Sequence, residues 1–373
     1  QASPFCNLDC RYCYLPDRSS TQRMALPLLR QVLAQVRGSG LMGPELSLVW
    51  HAGEPMAVPR SWYDDAFAIV AEQLHGSGTR VVHHFQTNAV LIDEAWCDFF
   101  HHHGVQVGVS IDGPAALHDA HRQTRDGRGT HAKVMQDIAQ LKAAGLPFHA
   151  LAVLTADALG QPEARFDFFA GLGARQGGVN VEEIEAEHTT STLQAPMAEA
   201  ALRAFWARLL QRLQAEPGPP RLRVRELDAV VAALRHPQLG TLAGSSQNQS
   251  GHLLNVAHNG DWCFWSPELL GTHHPQRGPV VMGNLALGQL PRAGAPAAGA
   301  AWADWQAEIN QGVAACRATC AYFDICLGGA PANKLAEHGH LSGTATMACR
   351  LGQQVVIDAV LESLDQSLPG MTP

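Results

Sequence analysis

Apolar and polar positions alternate between two periods along the first two thirds of the chain. Apolar residues recur at helical spacing over 28–37, 62–74, 93–103, 131–144, 163–170 and 197–213. Between them lie short apolar runs of strand length, at 46–51, 80–86, 105–111, 148–154 and 179–184. Spacing of three and four places side chains on one helix face, whereas a short apolar run between turn residues reads as a buried strand. Asp93 and Ser61 stand where helix N-caps belong, and Gly38, Gly76, Gly104 and Gly145 where helices end. Strands alternating with helices predict parallel pairing with right-handed crossovers. Five such strands predict an α/β fold of the partial (β/α)6, TIM-like barrel kind, and a doubly wound sheet is the alternative. The chain opens at Gln1 rather than Met, which leaves room for a leading sixth strand upstream.

The texture changes after residue 213. Pro217-Gly218-Pro219-Pro220 breaks the helical pattern and reads as a linker. From Asn255-Val256 onward the chain is rich in Gly, Trp and Pro, and 293–301 is an Ala/Gly/Pro stretch expected to be a surface loop. A boundary after residue 235 divides the chain into 1–235 and 236–373.

Parallel α/β folds collect their chemistry at the carboxyl ends of the strands. Polar clusters occur there after three predicted strands. They are His51-Ala52-Gly53-Glu54-Pro55, Gln86-Thr87-Asn88 and Ser110-Ile111-Asp112-Gly113. Three clusters on one rim imply one shared site.

Composition narrows the partners. The net charge is −8 and no basic block appears, which argues against nucleic acid. No run of 18 apolar residues exists to span a membrane, and no secretory signal pattern is present. Nine cysteines in 373 residues, clustered at both ends, point to metal in a reducing cytoplasm rather than to a disulfide framework. His83 and His84 are expected to face opposite sides of a strand, and His101, His102 and His103 to end a helix; neither set reads as a metal site.

Cys6, Cys10 and Cys13 follow a Cys-x3-Cys-x2-Cys spacing. Three thiolates on a four-iron cluster leave one iron open, and an open metal position marks a reactive site. A zinc knuckle is the alternative, but it lacks a fourth ligand in Leu15, Pro16, Asp17 or Arg18. Near the other end, Cys316, Cys320 and Cys326, with Cys349 further on, make a set of four that suits a closed iron–sulfur or zinc site. Cys97 and Cys263 read as buried apolar thiols.

The first cysteine loop resembles that of the radical S-adenosylmethionine (SAM) superfamily. The resemblance implies that the open iron of a [4Fe–4S] cluster is chelated by SAM, and that its reductive cleavage gives a 5′-deoxyadenosyl radical. It also implies SAM contacts at Tyr12, at Gly53, Glu54 and Pro55, at Thr87 and Asn88, at Ser110 and Asp112, and at Arg122. Ala52 and Ala89 replace glycines of the family pattern.

The second half resembles the SPASM/twitch-type Fe–S extension of peptide maturases. Ala330 replaces one of its cysteines, so a single auxiliary [4Fe–4S] cluster is expected on Cys316, Cys320, Cys326 and Cys349. The segments Ser266-Pro267-Glu268-Leu269-Leu270-Gly271 and Thr346-Met347-Ala348-Cys349-Arg350 resemble the glycine-rich-repeat branch, grouped with cyclophane-forming enzymes. Its implied activity is carbon–carbon crosslinking of a precursor peptide, with flavodoxin or ferredoxin as external electron donor. His258, Asp261 and Glu268 are the candidate proton acceptors, and Trp262, Trp265, Trp302 and Trp305 are candidates to line a peptide groove. Formylglycine or thioether formation, and a non-catalytic metal-binding role, are the alternatives.

Overall fold

The computed structural model describes residues 1–215, 222–235, 244–288, 290–292 and 302–367. The linker expected at 217–220, the loop expected at 293–301 and the residues that follow the boundary at 235 lie outside these.

Five strands pair in parallel: β1 (Glu45–Trp50), β2 (Arg80–Thr87), β3 (Gln106–Ser110), β4 (Phe148–Leu154) and β5 (Gly177–Val181). Their order in the sheet is the order in the chain. A doubly wound sheet reverses its strand order at a switch point. This sheet does not reverse, so it is the curled half-barrel of the first expectation. The helices α1 (Leu26–Ser39), α2 (Arg60–Leu74), α3 (Glu94–His103), α4 (Ala115–His121), α5 (His131–Ala143), α6 (Pro162–Leu172) and α7 (Ala198–Gln214) alternate with the strands or follow them.

Local chemistry explains most of the boundaries. The Asp93 carboxylate accepts from the Trp96 amide at 2.8 Å and starts α3; Gly104 ends it at φ 62°. Ser61 does not cap α2. That helix starts one residue earlier, after Pro59, with no side-chain cap. Gly38 likewise stays within α1, which closes on Gly40 in the left-handed region.

Alternate strand residues face the helices. Trp50, Phe85, Val107, Val109 and Phe148 pack there against Tyr63, Phe67, Trp96 and Phe100. Each buried side chain of this size is worth about 1.5–3 kcal/mol. His83 stacks on Phe67 with ring centroids 3.6 Å apart. His84, the next residue along the strand, lies on the opposite face.

A second hydrophobic cluster gathers the later segments. They are β6 (Leu254–Val256), β7 (Asp261–Phe264), α8 (Ala303–Thr319) and α9 (Pro331–His338). Helix α1 serves both clusters, with Leu29 and Leu33 in the first and Val32 and Val36 in the second. The last helix among the described residues, α10 (Val355–Ser367), returns to the first cluster through Val355, Val356, Ile357 and Val360. Trp262, Trp265 and Trp305 are buried within the second cluster and do not line a peptide groove; Trp302 packs against it, partly buried.

Two turns at the strand ends hold left-handed backbone. Ala52 has φ 65° and Ala89 φ 56°, and Gly53 has φ 100°. A Cβ on Gly53 would lie 2.5 Å from the Ser3 carbonyl oxygen and 2.8 Å from that of Phe5. The segment carrying Cys6 therefore crosses directly over Gly53. Left-handed backbone costs a non-glycine residue about 1–2 kcal/mol, against roughly 0.5–1 kcal/mol of extra chain entropy for glycine. Ala52→Gly is expected to raise stability by about 0.5–1 kcal/mol. Ala89→Gly is expected to be near neutral, because Ala89 is fully buried and loses a methyl worth about 0.8 kcal/mol. Gly53→Ala is expected to cost about 3 kcal/mol from overpacking and strain. Anaerobic urea denaturation checks all three; a Gly53→Ala protein as stable as the parent would contradict the close crossing.

Candidate active site at the strand ends

The cysteine loop lies across the strand ends, held by backbone bonds to the segment after α4. The Asp9 amide donates to the Gln123 carbonyl at 2.8 Å and the Arg11 amide to the His121 carbonyl at 3.0 Å. Arg125 donates to the Cys6 carbonyl at 2.8 Å. Leu8 is buried beneath the loop. Cys6, Cys10 and Cys13 are each partly exposed and unpaired.

Glu54 organises one side. Its carboxylate is buried and accepts from the Met56 amide at 3.0 Å, the Thr87 hydroxyl at 2.7 Å and the Asn88 amide at 2.8 Å. Burial pushes its pKa up to about 7 despite these donors. Two oxygens offer about four lone-pair sites, so one of them stays open toward a donor such as an ammonium group. The Glu54 amide donates to the Phe5 carbonyl at 2.7 Å, and the Asn88 side chain donates to Asn7 at 2.8 Å and approaches the Cys6 sulfur at 3.8 Å. Pro55 starts a short 3-10 turn, and its carbonyl accepts from the Tyr63 hydroxyl at 2.9 Å.

Asp112 organises the other side. Its Oδ1 accepts from the Val153 amide at 2.9 Å, and its Oδ2 accepts from the Tyr12 hydroxyl and from Arg122 Nε at 3.0 Å. The Arg122 guanidinium lies 5.3 Å from the centroid of the Tyr12 ring. Burial opposes the charge of Arg122, but Asp112, Tyr12 and Cys10 outweigh it and raise its pKa. Ser110 accepts from Gln86 at 2.9 Å within the barrel. The structure thus brings together Tyr12, Gly53, Glu54, Pro55, Thr87, Asn88, Ser110, Asp112 and Arg122 around the loop. Arg165 of α6 stands beside them. It is buried, its side chain passes against Gly113, and both terminal nitrogens lack a partner.

Burial, reinforced by Glu54, pushes the Cys6 thiol up to about 12. Burial raises Cys10 to about 11, with Arg122 pulling the other way. The bare thiols of Cys6 and Cys10 stay protonated at neutral pH, so it is a bound metal centre that would stabilise thiolates here. This donor set fits a soft-metal cluster with an open position.

A cavity of about 710 Å³ carries the other four cysteines, Cys316, Cys320, Cys326 and Cys349, on its wall. A hydrogen bond from Cys349, then amides of Gly328 and Gly329, lower Cys326 to about 6 against burial; the Cys349 thiol is raised in turn. Lys334 donates to the Cys316 sulfur at 3.7 Å and Gln354 to that of Cys349 at 3.7 Å. Four sulfurs on one cavity wall, with donors aimed at them, fit a fully ligated cluster. Cys263 is buried apart from them, with the Asn255 amide at 3.7 Å, and Cys97 is buried in α3.

The same cavity contains Glu183, Glu185 and Glu268. Asn333 donates to Glu183 at 2.9 Å and to Glu185 at 3.1 Å. Burial, then the neighbouring carboxylates, raise Glu185 well above the carboxylate range, and burial raises Glu268 to about 7. Burial, then the carboxylates of Glu268 and Glu185, raise the phenol of Tyr14, which follows Cys13 in the chain. Asp261 and His258 lie elsewhere. Asp261 accepts from Asn259 and Asn284, both at 2.8 Å, and His258 contacts Gln1 and Gln22. Of the three candidate proton acceptors, Glu268 alone lines the cavity. Sequence reading missed Glu183 and Glu185, although Glu182-Glu183-Ile184-Glu185 follows β5 as the rim rule requires.

Comparison with known proteins agrees with this geometry. Residues 1–160 match the family model of the radical SAM superfamily. The uncharacterized protein sll1766 of Synechocystis is 36% identical over 374 residues, covering 99% of this chain and 92% of that protein. The serine-type anaerobic sulfatase-maturating enzyme of Klebsiella aerogenes is 34% identical over 174 residues, 46% of this chain and 43% of that enzyme. The chain thus matches less than half the length of that enzyme. Among solved structures, native anSMEcpe with bound AdoMet superposes with a TM-score of 0.77 at 17% identity, covering 98% and 96% of the two chains. Streptococcus suis SuiB bound to its precursor peptide SuiA gives 0.58 at 15% identity, covering 94% and 74%. These likenesses in structure show the fold, and the sequence matches carry the descent. A purely structural metal-binding role is set aside, because the chain belongs to the radical SAM superfamily and is a radical SAM enzyme.

Proposed function

We propose that the enzyme matures a ribosomally made precursor peptide by joining an aromatic ring carbon to a side-chain carbon, closing a cyclophane. The observation that carries this reading is the shared cavity, in which Glu183, Glu185 and Glu268 stand on the same wall system as four cysteines. Bound to this chain, the [4Fe–4S] cluster with SAM supplies a hydrogen-abstracting radical, and the auxiliary cluster supplies a place for one electron.

The chain's residues supply the rest. Attack of a side-chain carbon radical on a ring forms one bond and leaves the ring one proton and one electron in excess. Glu268, with a pKa near 7, is ionised in part at neutral pH and takes a proton readily. Asn333 holds Glu183 and Glu185 in place beside it. We assign the barrel to 1–235 and the cluster-bearing unit to 236–373, with a flavodoxin- or ferredoxin-type donor and a cytoplasmic setting. Among the described residues no helix is long and apolar enough to cross a membrane.

A second reading is oxidation of a serine to formylglycine, favoured by the 34% identity to a serine-type sulfatase-maturating enzyme over 174 residues. Both reactions remove two hydrogens, so mass alone does not separate them.

Co-expression with a short peptide from a neighbouring reading frame, followed by tandem mass spectrometry, tests the proposal. The expected product has lost two hydrogens per crosslink, fails to fragment between the linked residues and does not react with hydroxylamine. A product that forms an oxime contradicts crosslinking and favours the aldehyde. Peptide conversion is expected to rise with pH through about 7, because only ionised Glu268 accepts a proton. Glu268→Gln is expected to slow conversion by about 10²–10⁴-fold while 5′-deoxyadenosine formation continues. Unchanged conversion in that variant would remove Glu268 from the reaction.

A further inference from the structure

We infer that Lys334 supplies the positive charge that favours the reduced form of the cluster held by Cys316, Cys320, Cys326 and Cys349. The inference deepens the proposed reaction, in which that cluster takes one electron, and rests on the reading of the four cysteines as one closed site.

Lysine is rare in this chain. Of 26 cationic Lys and Arg residues it takes only positions 133, 142 and 334. Lys133 pairs with Asp137 at 2.6 Å, and Lys142 is exposed. Lys334 is 4% exposed, and among the described residues no carboxylate pairs with it. Its hydrogen bond goes to the Cys316 sulfur at 3.7 Å. A buried ammonium is costly unless an anion compensates it. The anion at hand is the cysteine site itself, since Lys334 lines the cavity together with all four cysteines.

The surrounding backbone is shaped around this ammonium. Gly312 and Cys316 lie one turn apart on one face of α8. A Cβ on Gly312 would stand 3.0 Å from Lys334 Nζ and 2.7 Å from the Leu341 carbonyl oxygen. Glycine at 312 thus leaves the space that Lys334 occupies beside the sulfur. Two neighbouring residues of α9 divide the cavity between them. Asn333 donates to Glu183 and Glu185, whereas Lys334 donates to Cys316, so the acidic wall does not neutralise the ammonium.

A cluster on four thiolates is anionic, and an added electron deepens its negative charge. Net charge and hydrogen bonds to the sulfurs set the potential of such a centre. Lys334 offers both at Cys316, while Gln354 offers a neutral bond at Cys349. The strand-end loop is set differently. There the buried Glu54 holds the backbone next to Cys6, and Arg122 is paired with Asp112 at 3.0 Å. An uncompensated cation thus stands at the closed site, where an electron is to be received. In the proposed crosslinking the ring radical gives its proton to Glu268 and one electron to this cluster, and the ammonium stabilises the charge so added.

An EPR-monitored redox titration of the anaerobically reconstituted Cys6→Ala protein reads this cluster by itself. Adding Lys334→Met is expected to move the redox equilibrium toward the oxidised form by about 10–100-fold, a negative shift of about 59 mV for each factor of ten in a one-electron couple. Lys334→Gln, which keeps a donor and drops the charge, should shift nearly as far, and Lys334→Arg should keep part of the parent potential. Iron should stay at about four per chain in each variant. An unchanged midpoint in Lys334→Met and Lys334→Gln would overturn the inference. A parent-like midpoint in Lys334→Gln alone would assign the effect to hydrogen bonding rather than to charge and overturn it equally. Loss of iron in all three variants would make Lys334 a structural residue, with the same consequence. Absence of iron from the Cys6→Ala protein itself would sink the four-cysteine reading, and the inference with it.

Discussion

The buried carboxylate of Glu54 ties the reactive loop to the barrel. It collects donors from the ends of β1 and β2, and its own amide holds the Phe5 carbonyl next to Cys6. Asn88, fixed by that carboxylate, reaches Asn7 and the Cys6 sulfur. One charged group therefore sets the height of the cysteine loop above two strands. Removing it would leave three buried donors without an acceptor, a cost of about 1–3 kcal/mol each. The loop has little hydrophobic anchorage besides Leu8, so this polar lattice does the positioning.

The opposite side repeats the device with Asp112, which joins β3 to the Val153 amide in β4, to Tyr12 of the loop and to Arg122 after α4. Glu54 and Asp112 thus grip the loop from the ends of β1 and β3. The helix-facing residues of the barrel are large, apolar and buried, from Trp50 and Phe85 to Phe148, and close packing of this kind resists displacement. That packing fixes where the two carboxylates stand, and they fix where three sulfurs stand.

Much of this was legible in the chain. The change of period marked five strands and six helices to within a few residues, because each strand is buried on its helix side. Spacing alone found both cysteine sets. The strand-end rule found Glu54, Thr87, Asn88, Ser110 and Asp112, since polar residues directly after an apolar run have few other reasons to be there. What stayed hidden depends on chain segments distant in sequence. Arg165 looks like an ordinary helix arginine until α6 is seen to aim it at Gly113. Glu185 and Glu268 are 83 positions apart, and only the fold shows that they share a cavity. Asp261 and His258 resembled Glu268 in sequence neighbourhood, but Asn259 and Asn284 occupy Asp261, and Gln1 and Gln22 occupy His258. Ser61 and Gly38 failed as helix ends because Pro59 and Gly40 supply stronger signals two residues away.

The claim on which the rest stands is that this chain holds two separate clusters, one open and one closed. Iron and sulfide analysis of anaerobically prepared protein, alongside its Cys6→Ala variant, tests that most directly. Two clusters predict about eight irons per chain, with about four lost in Cys6→Ala together with all cleavage of SAM. A parent protein with about four irons, or a Cys6→Ala protein that still cleaves SAM, would contradict the account.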